Sequence, residues 1–373
     1  MSRKIQHLVE KYQSRDRLSR QGVWKGELYT PQEIPFLHRG WCWRTLLLSD
    51  EDELIVSLEV VPDTEELEPR RNSPVKPTTH GIRRLTPVMA ESHPLTLEDP
   101  LKEQIPMDET LDIISLDLER LLIDDIFSKE SVKNEMKRIL YNYVIYNNTS
   151  YKQGYHELCG TIYLQMQGNG QDEVMVNTFN IFNKLMKHVQ PVFYTEGKLI
   201  EWCRDTFGSI LEHTSPKLHD LLVKHHRMDN TIWLIRWTRL LLLREFDMDY
   251  VLKIWDHLLT FQYPIEGLMA CMIVVLLIVV SQELHCCEDQ GDLISILLHY
   301  PREKAIDVVE LLKYSGNLYE LWASKQFEDM KGVGDTLCKI YSREWYEKCQ
   351  GIDVNRLRLE ERLRKRVEWK LSK

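Results

Sequence analysis

Thirteen consecutive apolar residues, Leu268 to Val280 (LMACMIVVLLIVV), leave this chain few ways to fold. The run falls short of the ~20 residues needed to cross a bilayer, so it predicts a fully buried core helix rather than a membrane span. Such a helix demands a substantial core. At 373 residues the chain can supply one, as two average domains or as one large domain with extensions. Hydrophobic residues make up 43% and charged residues 28%, which fits a globular protein and excludes a disordered one.

The surrounding pattern agrees with an all-α fold. From Leu111 to about Leu321 glycine and proline are sparse, and Met136, Ile139, Leu140, Tyr143 and Val144 follow the i, i+3, i+4 spacing of an amphipathic helix. Val176 to Val189, Lys217 to His225, Trp233 to Phe246, Asp249 to Leu259 and Leu293 to His299 read the same way, and no alternating strand runs stand out. The expectation is one continuous bundle-like core over residues 36–330.

Three regions differ from it. Residues 1–35 form a charged N-terminal segment. Eight of the fourteen prolines fall between Pro62 and Pro106, which predicts a loop-like insertion at 62–106 in place of a packed helix, with Ser73-Pro74 and Thr86-Pro87 as phosphorylation candidates. Residues 331–373 read as a basic amphipathic helical extension, with Leu359, Leu363, Val367 and Leu371 on one face.

Several function classes are unfavoured. A formal charge of -9 gives no global basic field for nucleic acid. Eight cysteines without a CxxC pair point to reduced thiols, and His285-Cys286-Cys287 and His225-His226 lack two separated ligand pairs, so no metal is expected. The start MSRKIQHLVEKYQSRDR reads as neither a signal peptide nor an anchor. There is no GxxxxGK[ST] phosphate loop, no second histidine after His156-Glu157 to complete HExxH, and no GxSxG elbow. Gly168 to Gly170 (GNG) reads as a helix-connecting turn.

Against this background Arg120 and Gln153 carry the chemistry. An arginine stabilises charge developing on a transferred phosphoryl group, and a glutamine orients the attacking water. Asp117, one helical turn before Arg120, can hold the guanidinium or its neighbours in place. Asn148, Thr149 and Ser150 break the preceding helix, and Gly154 permits a sharp turn that presents Gln153 at a helix entry. Taken singly, each residue is matched by a bland reading as a surface ion pair or an ordinary loop.

Jointly, RGWCWRTLL, IISLDLER, YKQGYHEL and IRWTRLLLLREFDMDYVLKIWDHLL resemble, in order and spacing, the TBC domain of Rab GTPase-activating proteins over roughly residues 36–325. The resemblance implies an all-helical domain that binds a GTP-loaded Rab-family GTPase and inserts Arg120 (IxxDxxR) and Gln153 (YxQG) as two fingers in trans. An arginine finger is worth about 10³ to 10⁵ in rate, or roughly 4 to 7 kcal/mol of barrier. It implies supporting roles for Asp117, Tyr151 and Gly154. Structural roles fall to Arg44, Arg236, Trp237, Arg244, Glu245, Phe246, Trp255 and Asp256. No cofactor of its own is implied, since it would act on the GTP and Mg²⁺ held by the partner. Its place would be the cytoplasm, peripherally at endomembranes such as Golgi or endosomes, reached through the partner or the C-terminal helix, in vesicle and protein traffic.

Two departures qualify the match. Leu121, Leu122 and Ile123 follow Arg120 where the family places threonine and then an aromatic or proline, and Tyr155 stands where methionine is common. The first could alter the end of the finger's helix, and the second could change contacts with the Rab. They keep open a catalytically inactive Rab-binding scaffold. An unrelated helical scaffold would instead leave Arg120 and Gln153 far apart.

Overall fold

The computed structural model describes residues 11–12, 14–29, 39–48, 54–62, 107–167, 171–195 and 197–349, with Arg362 and Lys365. Among these, every regular element is helical, as the periodicity requires. Nearly all of the expected insertion (63–106), the Gly168–Gly170 turn, and Leu359, Leu363, Val367 and Leu371 lie outside the described residues. No helix among the described residues is long and apolar enough to cross a membrane. The chain divides into two compact units, Met1–Glu196 and Gly197–Lys373.

The first unit begins with a wide helical turn, Leu18–Trp24, whose Leu18 and Val23 are buried together with Tyr12. Part of the charged N-terminal segment is therefore packed structure. Helix α1 (Arg39–Leu47) comes next. Gly40 is needed there because a Cβ would lie 2.1 Å from the carbonyl oxygen of Gln165. An extended strap follows at residues 54–60, and then α2 (Met107–Glu119), α3 (Glu130–Tyr146), α4 (Tyr155–Met166) and α5 (Gln171–Val189).

Burial on α3 falls on Met136, Ile139, Leu140, Tyr143 and Val144, the stripe read from the sequence. On α2 it falls on Leu111, Ile114 and Leu118, which turns that helix toward α3 and α4. Between α3, α4 and α5 lies an aromatic cluster in which Tyr155 meets Tyr143, Phe182 and Tyr194 edge-on, with centroids 5.5, 5.9 and 4.9 Å away. Edge-to-face pairs of this kind add about 0.5–1.5 kcal/mol each beyond area burial.

The strap is held through its main chain. Asn180 of α5 accepts from Ile55 N–H (3.0 Å) and donates to Ile55 C=O (2.9 Å); Asn142 of α3 does the same with Glu59 (2.8 and 3.0 Å). Arg138 adds bonds to the carbonyls of Leu58 and Glu59. The two asparagines thus stand in for a neighbouring strand.

The second unit contains α6 (Ser209–Thr214), α7 (Thr231–Arg239), α8 (Met248–Leu258), α9 (Ile265–Val279), α10 (Gln290–Leu298), α11 (Val308–Ala323) and α12 (Phe327–Tyr341). Helix α9 is the apolar run: every residue from Gly267 to Val279 is buried, with α11 and α12 packed on it. The boundary drawn at 330/331 falls inside α12, whose Met330, Gly334, Leu337 and Cys338 are buried, so no structural break occurs there.

One expected helix is shorter than its pattern. Trp233 to Phe246 reads as continuous, but α7 stops at Arg239 and the chain turns through Leu241 (φ 47°) and Leu242 (φ 68°), both left-handed. That conformation costs a non-glycine residue roughly 1–2 kcal/mol. Tertiary bonds offset it: Trp255 Nε1 donates to Leu241 C=O at 3.1 Å, and the reversal brings Glu245 back to Arg236 at 2.7 Å.

Candidate functional site

Arg120 sits at the C-terminal end of α2, where its N–H bonds to Asp117 C=O at 3.1 Å, and its side chain is exposed. The three residues after it behave differently from one another. Leu121 is buried beside Gly160 of α4, where a Cβ would lie 3.1 Å from the Leu121 Cδ2. Leu122 is 91% exposed and Ile123 half-buried. The unusual leucine at 121 thus acts as an anchor that fastens the end of α2 to α4.

Gln153 lies in the connection between α3 and α4. Tyr155 N–H bonds to Lys152 C=O at 3.1 Å, and Gly154 has φ 100° and ψ -20°. This is a type II turn, with Gln153 at its first corner and glycine at the second, where φ must be positive. The Gly154 carbonyl then accepts from Glu157 and Leu158 N–H, both at 3.1 Å, which starts α4. The sharp turn expected at Gly154 has this physical form. Gln153 is half-buried, and its Oε1 is enclosed without a hydrogen-bond donor among the described residues.

The loop behind Gln153 is tied down from several directions. Asn147 donates to Asn183 Oδ1 at 3.0 Å, and Thr149 accepts from Gln190 Nε2 at 2.8 Å, while Gln190 in turn accepts from the Tyr143 hydroxyl at 3.0 Å. A glutamine on this loop is held by its neighbours while its own side-chain oxygen has no donor among the described residues.

The two segments meet through a buried polar cluster. Asp117 is only 6% exposed and accepts from the Tyr151 hydroxyl at 2.8 Å. His156 Nδ1 lies 2.9 Å from the same hydroxyl and 3.3 Å from Asp117 Oδ2. Burial, and then the charge of Asp117, push the Tyr151 phenol well above its ordinary pKa, so it remains a donor. Residues three before Arg120 and two before Gln153 are therefore hydrogen-bonded to each other, which is incompatible with the distant arrangement an unrelated scaffold would have. Asp117 reaches the Gln153 loop rather than only its own helix. His156 was read from sequence only as half of an absent metal motif; its spacing, five residues after Tyr151 and across a glycine turn, was the available signal.

Tyr155 is fully buried inside the aromatic cluster. Its replacement of methionine therefore changes the interior of the unit, and any effect on a partner is indirect.

The remaining motif residues are placed as follows. Arg44 of α1 bonds to Glu173 at 2.9 Å and lines an open groove of about 730 Å³ with Trp41, Leu48, Val56 and Val176. In the second unit Arg236 also donates to Leu298 C=O, and Trp237 Nε1 donates to Leu297 C=O at 2.9 Å. Burial raises the Glu245 carboxyl above its usual range, with Arg236 opposing the shift. Arg244 is exposed and its carbonyl accepts from Arg302 at 3.2 Å. Phe246 stacks on Tyr250 at 4.6 Å, and Trp255 and Asp256 are buried. The motif residues from Arg236 to Asp256 hold the second unit together, whereas Arg44, Arg120 and Gln153 belong to the first.

The sequence pattern of the Rab-GTPase-TBC domain matches residues 38–312. Among solved structures, the Ypt/Rab-GAP domain of Gyp1p superposes with a TM-score of 0.60 at 17% identity, covering 86% of this chain and 98% of that one. No curated protein matches.

Proposed function

The chain belongs to the Rab-GTPase-TBC domain family, which makes it a regulator of a Rab-type GTPase, and we propose that it accelerates GTP hydrolysis with two side chains supplied in trans. Arg120 would meet charge building between the β and γ phosphates, and Gln153 would align the attacking water. The GTP and its Mg²⁺ belong to the partner, so this chain contributes no cofactor.

The observation that carries this reading is the buried Tyr151–Asp117 hydrogen bond, which ties the turn bearing Gln153 to the helix end bearing Arg120. Gln153 Oε1 is enclosed without a donor among the described residues, which costs about 1–3 kcal/mol, and turning the side chain outward to a water beside the bound nucleotide would relieve that cost. The exposed arginine on a segment fastened to the same cluster supports the pairing of the two roles. Work in the cytoplasm and at the endomembrane where the partner resides, in vesicle traffic, accords with such a partner.

Single-turnover hydrolysis across a panel of GTP-loaded Rab proteins tests the proposal. Arg120→Ala and Gln153→Ala should each remove most of the acceleration, by about 10³-fold or more for the arginine. Full stimulation by both variants excludes the two-finger mechanism. Binding of GTP-loaded partners with unchanged hydrolysis across the panel establishes the inactive scaffold instead.

A further inference from the structure

We infer that His156 is a positioning residue for both fingers, a role that rests on the two-finger reading. The Tyr151 hydroxyl has a single proton, and the Asp117 carboxylate takes it at 2.8 Å. The phenol oxygen is then left as an acceptor, faced by the His156 main-chain N–H and by His156 Nδ1 at 2.9 Å. The proton on this ring therefore sits at Nδ1. It points at the phenol, with Asp117 Oδ2 a second acceptor at 3.3 Å, while Nε2 lies 3.9 Å from Glu157 Oε1.

The relay is directional: imidazole N–H to phenol oxygen, phenol O–H to carboxylate. It encloses Gln153, because Tyr151 precedes that residue by two positions and His156 follows it by three. Its far end is Asp117, on the helix that ends at Arg120. One short chain of bonds thus sets the glutamine turn and the arginine terminus relative to each other. The His156 main-chain N–H also reaches the phenol oxygen, so the imidazole is a second tie; without it the Tyr151–Asp117 bond alone relates the turn to α2, and the geometry loosens. His156 is itself buried, so it makes no contact with a partner and acts only through the fingers.

The expected signature is a loss of rate without loss of binding. A misplacement near 1 Å costs up to about 10²-fold, so His156→Leu should lower the saturating stimulated rate roughly 10-fold or more while the half-saturating concentration moves less than about 3-fold. The discriminating pair is His156→Asn and His156→Gln. An asparagine amide takes the place of Nδ1 and should recover most of the rate; a glutamine amide takes the place of Nε2 and should not. Combining His156→Leu with Tyr151→Phe should cost little beyond the worse single change, because both break one relay.

The assay is single-turnover hydrolysis by a GTP-loaded Rab that responds to the wild-type chain, with thermal unfolding to confirm that each variant is folded. Equal rates for folded Asn and Gln variants overturn the positioning role, as does an unchanged saturating rate in His156→Leu. If Arg120→Ala still abolishes acceleration in that experiment, the two-finger reading survives alone. If the wild-type chain stimulates no Rab, both fall together.

Discussion

Gly154→Ala separates what holds the glutamine turn from what holds the fold. At φ 100° and ψ -20° an L-residue lies outside its favoured regions. The left-handed conformation costs about 1–2 kcal/mol, up to about 3 where surroundings over-determine it. Alanine also narrows the unfolded ensemble, which returns roughly 0.4–1 kcal/mol. The net expectation is a destabilisation of about 1–2 kcal/mol, visible as a lower midpoint in urea unfolding. The consequence for hydrolysis should be larger, because relief of strain rotates the peptide that follows Gln153. A stimulated rate at least 10-fold below wild type is expected from a displacement well under 1 Å to 1 Å. Gly154→Asn should fall between the two, since asparagine tolerates positive φ better than alanine. If Gly154→Ala keeps both wild-type stability and wild-type rate, the type II turn is not what positions Gln153.

Two further outcomes are expected. Burial holds the folded Glu245 carboxyl above its ordinary value of 4.5, so the folded state retains a proton that the unfolded chain has lost. Stability from this group is present below pH 4.5 and lost as pH rises through the raised value. Wild type should therefore gain on Glu245→Gln, in unfolding free energy, as pH falls from 7 toward 4.5; the opposite slope refutes the assignment. Arg44→Met should change stability by less than about 1 kcal/mol, because Arg44 and Glu173 are 28% and 55% exposed, and the small effect should shrink further in high salt.

What could be read in advance was set by strong local signals. The run at Leu268–Val280 allowed only a buried helix, and the stripe on α3 followed directly from its spacing. The IxxDxxR and YxQG motifs were legible as local patterns because each joins a chemically special residue to a turn or helix end. The break after Arg239 was hidden because leucine, arginine and glutamate all favour helix, while the bonds that reverse the chain come from Trp255 and from Glu245 meeting Arg236. His156 was obscured for a related reason, since a buried histidine acquires its role from Tyr151 and Asp117 and not from its immediate neighbours. The strap had no periodicity to notice. Its partners are two asparagines 38 positions apart on separate helices.

The strap also behaves as a ruler with a single mark. Every polar contact described for it goes to main-chain atoms of Ile55, Leu58 and Glu59, and those atoms recur identically along any extended peptide. Sliding the segment by two residues would rebuild the same bonds while keeping each side chain on its original face. Val56 and Val60, 86% and 77% exposed, are the residues such a slip would bring to the place of Leu58. Leucine outcompetes valine there by about one methylene, roughly 0.8 kcal/mol. Leu58, the one buried side chain between Leu54 and Pro62, therefore adds a choice of register that the main-chain bonds alone leave open.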